Sequence, residues 1–438
     1  MSATERGMGL GLRTLTRLAG SELLDRVGVR RHVERAVFQA TKNGFRTATA
    51  AGRTFKAAGR LARPARQPRA RSAGLFDLTP DDEQRMLQEA VGAFAADRVR
   101  PAALEADEAC ATPPELLGQA MELGVAALGV PEELGGVVPE RSGVTTVLVA
   151  EALAHGDMGI AVAALAPGSV ATALGLWGDA DQQAAYLPAF TGDDPPAAAL
   201  ALLEPRALFD ALELRTKARR SGSDWVLNGV KSLVPRAAEG ELFVVAAEAE
   251  DTGTALFVVE SSSSGLFTEP EPAMGLRAAA TGRLVLDDVR VPQGALLGGG
   301  DLAAYLECVE RARLGWCALT VGTAQAVLDY AIPYVNGRTA FGEPISHRQA
   351  VAFAISDIGI ELEGMRLATY RAASRADRGE SFAREAAVAR RLCAQKGMRI
   401  GSDGVQLLGG HGYVKEHPVE RWYRDLRAAG VMEGAVLV

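Results

Sequence analysis

The chain has 438 residues, 48% of them apolar and 5% aromatic, which suits two or three domains around a large core and reads as a soluble, Ala- and Leu-rich helical protein. No run approaches 18 uninterrupted apolar residues, so no transmembrane helix is expected, and the scattered Cys110, Cys308, Cys317 and Cys393 read as reduced core thiols of an intracellular protein. The net charge of −7 hides an asymmetry: residues 1–71 hold 16 Lys/Arg against 4 Asp/Glu, or +12, and the remainder carries −19.

Residues 1–75 form the basic arm. Up to Arg63 it has no proline, and Leu15, Leu18, Val33, Val37, Phe38, Phe45 and Phe55 sit among arginines at spacings that suit one or two amphipathic helices. Residues 64–73 read as a linker. The arm is open to three readings: a solvated tail, a segment (1–63) that touches a membrane surface or partner, or an organelle presequence. These correspond to a cytoplasmic, membrane-associated or mitochondrial-matrix protein. It carries no base-reading motif, so no nucleic-acid partner is expected.

From Phe76 the pattern is helical. Thr79 offers a capping hydroxyl, Pro80 follows at the first turn, and three acids come next; periodicity continues through Leu87, Val91 and Phe94. Residues 131–136 read as a loop, and helical patterns resume over 142–190 with a break expected at Pro167 and Gly168. Over 197–298 the period changes. Short β-rich runs at 224–229, 242–247, 255–260 and 282–286, separated by Gly, Ser, Asp and Pro, read as a small β-barrel. Long periodic segments at 301–335, 347–378 and 383–410 then suit a bundle of antiparallel helices. The expectation is a mostly α chain with a central β domain, divided as 1–75, 76–196, 197–298 and 299–438.

The tail carries the candidate chemistry. Between residues 428 and 438 Glu433 is the only ionisable side chain, and a carboxylate in apolar company titrates above its usual range, which suits removal of a weakly acidic C–H proton. A solvated glutamate near a terminus is the plainer reading. Upstream, Gln406, Gly409, Gly410, Gly412, Tyr413, Glu416, Arg421 and Asp425 fall in one spaced pattern. This pattern resembles the C-terminal signature of the acyl-CoA dehydrogenases. Arg338, Phe341, Gly342, Pro344, Ile345 and Gln349 are similar to a second segment of that family, and the resemblance runs over residues 76–438.

The resemblance implies an N-terminal helical domain, a middle β-barrel and a C-terminal helical bundle, with FAD as cofactor and acyl-CoA as substrate. It implies a homodimer or homotetramer, with a heteromeric assembly as the alternative, and an electron-transfer flavoprotein as acceptor. Arg338, Phe341, Gln349, Gln406, Gly409 and Gly410 would bind the FAD of a neighbouring subunit: a cation for the pyrophosphate, apolar cover for the adenine and an amide for a polar edge. The plain alternative is a helical hairpin turning at Gly342 and Pro344. Glu433 falls at the family's base, and Gly434 at the following glycine that bonds the thioester oxygen; the α-proton leaves to the carboxylate as the β-hydride goes to flavin N5. Glu310 and Arg313 match substrate-side positions, or form an i,i+3 ion pair. Ala312 stands where some members carry their base.

Two loops depart from the family. Residues 203–210 lack both extra glycines and both hydroxyls of the first flavin loop. In the second, 231–237, Pro235 replaces a threonine and supplies neither hydroxyl nor N–H. After Gly434 stand Ala435 and a tail to Val438 in place of a further FAD-touching stretch. Either backbone groups replace the lost side chains in a working pocket, which retention of Glu433 favours, or this is a flavin-poor, non-catalytic subunit of a heteromeric complex. A relative acting on another thioester carrier or passing electrons to oxygen is a further enzymatic reading. His32, His155, His347, His411 and His417 show no metal-ligand spacing, Ser262–Ser264 lies in no nucleophile elbow, and there is no P-loop.

Overall fold

The computed structural model describes residues 78–136, 141–192 and 194–438. The basic arm, with its membrane and presequence readings, lies outside the described residues.

The helical part opens with α1 (Asp82–Phe94), which runs through a π turn (Ala95–Val99) into α2 (Arg100–Ala109). The cap is Asp81, not Thr79: its carboxylate accepts from Gln84 N at 2.8 Å and the Gln84 amide returns to Asp81 N, a reciprocal box that the hydroxyl two residues earlier cannot form. After α3 (Pro114–Glu122) come α4 (Gly143–Gly156) and α5 (Met158–Trp177). The break expected at Pro167 and Gly168 is not there. It falls at Asp157, which is extended (φ −161°, ψ 134°) and caps α5 by accepting the Ile160 N–H at 3.0 Å. Proline removes one backbone bond, but α5 is packed on all sides and keeps its path. It is long and apolar enough to cross a membrane, with a mean hydropathy of 1.7, yet 89% of its most apolar 18-residue window is buried inside the protein. The short α6 (Ala180–Tyr186) follows.

Eight strands form one sheet: β1 (Ala198–Ala201), β2 (Lys217–Ser221), β3 (Asp224–Val234), β4 (Leu242–Ala249), β5 (Gly253–Glu260), β6 (Leu266–Pro270), β7 (Gly282–Val291) and β8 (Leu296–Leu297). The order is β6-β7-β3-β2-β4-β5-β8, with β1 parallel to β4. The four β-rich runs of the sequence are the long strands β3, β4, β5 and β7. Their inward face carries the fully buried Trp225, Phe243 and Phe257.

The C-terminal helices α7 (Leu302–Gly337), α8 (Gln349–Asp377) and α9 (Ala383–Leu408) lie where periodicity puts them. α7 packs against α4, α8 and α9. The last helix, α10 (Val419–Asp425), ties the layers together. Arg421 Nε meets Asp157 Oδ2 at 2.9 Å, Arg424 pairs with Asp107 at 2.9 Å, and Asp425 Oδ1 accepts the Leu276 N–H from the sheet domain at 2.6 Å. Of the four thiols, Cys110 is exposed, contrary to the expected core position, because it sits at a left-handed helix end; the other three are buried.

Candidate functional site

Glu433 lies on a turn packed against α7 and α9. The apolar company expected for its carboxylate is absent. Arg313 of α7 donates from Nε to both carboxylate oxygens at 3.1 Å and from Nη2 to Oε1 at 2.9 Å. Arg390 of α9 places Nη2 3.6 Å from Oε1. The Glu433 side chain is only 10% exposed, so this is an enclosed ion cluster. Sequence proximity could not show it, since both arginines come from distant helices. Burial works to lower Arg313, but the hydrogen bonds and charge of Glu433 outweigh it and raise the guanidinium above its usual range. The i,i+3 pairing of Arg313 with Glu310 does not form. Glu310 is half-buried, and desolvation together with Glu307 raises its carboxyl.

The backbone of this turn is held from both sides. Trp316, one helical turn beyond Arg313, donates Nε1 to Gly434 O at 2.8 Å, and Arg390 Nη2 donates to Met432 O at 2.7 Å. Gly434 (φ 80°) and Ala435 (φ 72°) both adopt left-handed backbone, strained for the alanine. Neither the Glu433 nor the Gly434 N–H donates to another described residue, which leaves both free to meet an acceptor.

The two unusual loops are satisfied internally. Glu204 accepts from Arg215 N, Thr216 N and Thr216 Oγ1, and its Oε1 lies 3.0 Å from the fully buried Lys231 Nζ. Burial pushes Lys231 down to about 8, while Lys231 and the hydrogen bonds outweigh the burial of Glu204 and hold it below its usual range. Both shifts are downward, which works against the charged lysine but favours the charged glutamate, because Glu204 has three further donors, whereas Lys231 has only Leu202 O besides. Arg206 bonds the carbonyls of Asp210 and Glu213 and lies over the Phe209 ring. In the second loop Glu271 takes the Ser232 hydroxyl at 2.9 Å and the Leu233 N–H at 2.7 Å.

A separate groove of about 620 Å³ gathers Arg338, Phe341, Gln406, Gly409 and Gly410, together with Tyr334, Arg348 and His411. Gln349, the first residue of α8, is not among its lining; Arg348 takes that place. The strands β9 (Thr339–Ala340) and β10 (Glu343–Pro344) make a two-residue hairpin with Phe341 (φ 56°) and Gly342 (φ 85°) at its tip. A phenylalanine held left-handed and 96% exposed is strained and unburied at once, the pattern of a residue kept for a ligand. A Cβ at Gly409 or Gly410 would meet nothing within 4 Å, so the backbone there lies open. Arg338 makes no ion pair with another described residue. A guanidinium with no ion pair among the described residues, open backbone, an exposed ring and a carboxamide fit one end of a dinucleotide.

Tyr334 and His411 were missed in the sequence. The Tyr334 hydroxyl lies 2.8 Å from His411 Nδ1 and donates to Leu408 O at 3.3 Å, bracing the glycine corner. The repeat of Tyr330 and Tyr334 one turn apart, facing His417 and His411, was the available signal.

Residues 81–193, 199–289 and 302–436 match, in order, the N-terminal, middle and C-terminal domains of acyl-CoA dehydrogenase. The chain is 34% identical over 367 residues to the mitochondrial short-chain specific acyl-CoA dehydrogenase of Bos taurus, covering 81% of this chain and 87% of that one. Among solved structures, butyryl-CoA dehydrogenase from Megasphaera elsdenii superposes with a TM-score of 0.76 at 27% identity, covering 81% and 95% of the two chains. A glutaryl-CoA dehydrogenase from Mycobacterium smegmatis, in complex with FADH2, superposes with a TM-score of 0.74 at 26% identity, covering 80% and 91%.

Proposed function

The chain belongs to the acyl-CoA dehydrogenase family, FAD-dependent oxidoreductases acting on CH–CH donors, and from that premise we propose that Glu433 removes the α-proton of an acyl-CoA thioester. Bound FAD supplies the acceptor for the hydride that leaves the β-carbon. The N–H groups of Glu433 and Gly434 bond no other described residue, and on this reading they stabilise the negative charge that develops on the thioester oxygen. Arg313 occupies both oxygens of Glu433, so the carboxylate acts only once that pair opens. Arg338, Phe341, Gln406 and the Gly409–Gly410 backbone hold the cofactor of a second copy. An electron-transfer flavoprotein is the acceptor, following the family pattern.

The observation that carries this reading is a buried carboxylate on a strained turn, backed by two helices, in a chain that matches all three family domains. The substrates named for the short-chain and butyryl-CoA relatives make butyryl-CoA the first to try. The test is single-turnover bleaching of the FAD-loaded protein by acyl-CoA, which Glu433→Gln abolishes. One observation favours the second reading, a flavin-poor subunit in a mixed complex: Glu271 already uses the Ser232 and Leu233 donors, and Arg206 closes the first loop on itself. Purified protein that takes up no FAD, alone or with FAD added, decides for that reading.

A further inference from the structure

The turn that carries Glu433 is gripped from α9 by a residue that belongs to none of the recognised motifs. Arg390 is 14% exposed, and its Nη2 donates to Met432 O at 2.7 Å while lying 3.6 Å from Glu433 Oε1. Its Nη1 is buried with no hydrogen-bond partner among the described residues. Enclosing a guanidinium beside Cys317 and Cys393 is costly: burial pushes it below its usual range, and the facing Glu433 charge works the other way. A neutral donor would serve the Met432 carbonyl as well. A cation there gains only if the neighbouring carboxylate is part of its purpose.

We propose that Arg390 is the positioning residue for Glu433, fixing the backbone on one side of the base and keeping a cation behind it when its side chain leaves Arg313. The inference rests on the assignment of Glu433 as the base. The turn has two anchors, Trp316 on Gly434 O and Arg390 on Met432 O, and the left-handed pair Gly434 and Ala435 lies just beyond Glu433. Removing Arg390 frees the Met432 side of that turn, and the strain then relaxes by rotating the peptide that aims the carboxylate. Arg313 cannot substitute, because the same guanidinium that binds both oxygens must give them up for the reaction. A displacement of about 1 Å at a reacting group costs on the order of 10²-fold in rate.

The experiment compares wild type, Arg390→Gln and Arg390→Lys as FAD-loaded full chains by steady-state kinetics. It adds the infrared carboxylate band of Glu433, taken as the difference from Glu433→Gln in protein without substrate. The expected result is a kcat reduced about 10- to 100-fold in Arg390→Gln with KM within about threefold, partial recovery in Arg390→Lys, and a displaced Glu433 band. An Arg390→Gln variant with wild-type kcat and an unmoved band overturns the proposal. So does equal loss in both variants that follows thermal stability while the band stays in place. If Arg390→Gln does not fold, Arg390→Lys carries the comparison by the same two readouts. Wild-type protein that turns over no acyl-CoA sinks the dehydrogenase reading instead, and the infrared band still decides whether Arg390 holds Glu433.

Discussion

At Glu433 two guanidinium groups face one carboxylate, so the turn is net positive when that side chain is ionised. Replacing it with glutamine keeps the shape and removes the base. Glu433→Gln is expected to lower turnover by about 10²- to 10⁴-fold while the protein still folds and keeps its FAD, with a lowered thermal midpoint because Arg313 and Arg390 lose their carboxylate; near-normal turnover would remove Glu433 from the chemistry. The buried Lys231–Glu204 pair is a structural counterpart. Lys231→Ala leaves Glu204 enclosed without its cation, and urea unfolding should show a loss of about 3–5 kcal/mol. A loss below about 1 kcal/mol would mean that the Arg215 and Thr216 donors suffice alone. Along the chain Glu433 stands out as an isolated charge in an apolar tail. Its two partners were not legible, because Arg313 and Arg390 approach it from 120 and 43 residues away in sequence, and periodicity carries no information about such encounters.

The interface of α10 is built on charged side chains. Asp425 is fully buried, and desolvation, followed by the charge of Asp157, raises its carboxyl from 3.8 to about 7. Burial raises Asp157 in the same sense. An acid whose folded-state pKa exceeds its unfolded one binds its proton more tightly when folded, so this contribution is whole below about pH 4 and is lost as pH rises through about 7. Asparagine at 425 can still accept the Leu276 N–H but does not titrate. The thermal midpoint of Asp425→Asn should therefore gain on wild type between pH 5 and pH 8; parallel midpoints would contradict the assignment. Long helices were legible within two residues at α7, α8 and α9 because their apolar periodicity is strong. β1, with the helix-like sequence AALA, and β2, with KARRS, carry no strand signal, and only pairing with β4 and β3 makes them strands. Proline misled in α5, where packing overrides the local preference.

Among the described residues the Arg338 groove and the Glu433 turn are separate sites, the one lined by Arg338, Gln406 and the Gly409–Gly410 backbone and the other set against α7 and α9. On the proposed reading, each groove completes the cofactor site of another copy. Arg338→Ala should weaken FAD binding about 10- to 100-fold, the worth of one charge-assisted hydrogen bond, without moving the thermal midpoint of the cofactor-free protein. Fluorescence titration with FAD measures it, and an unchanged affinity would remove the groove from the cofactor site. The family and its layer order were legible from spaced motifs. Capture of the Ser232 and Leu233 donors by Glu271 was not, since it depends on how two loops of the sheet domain meet. The measurement that bears most directly on the central claim is the visible absorption spectrum of the purified full-length chain, before and after butyryl-CoA and a series of longer acyl-CoAs. A flavin band near one per chain that bleaches with at least one acyl-CoA, and not in Glu433→Gln, is the expected result. A flavin-loaded protein that no acyl-CoA bleaches would contradict it.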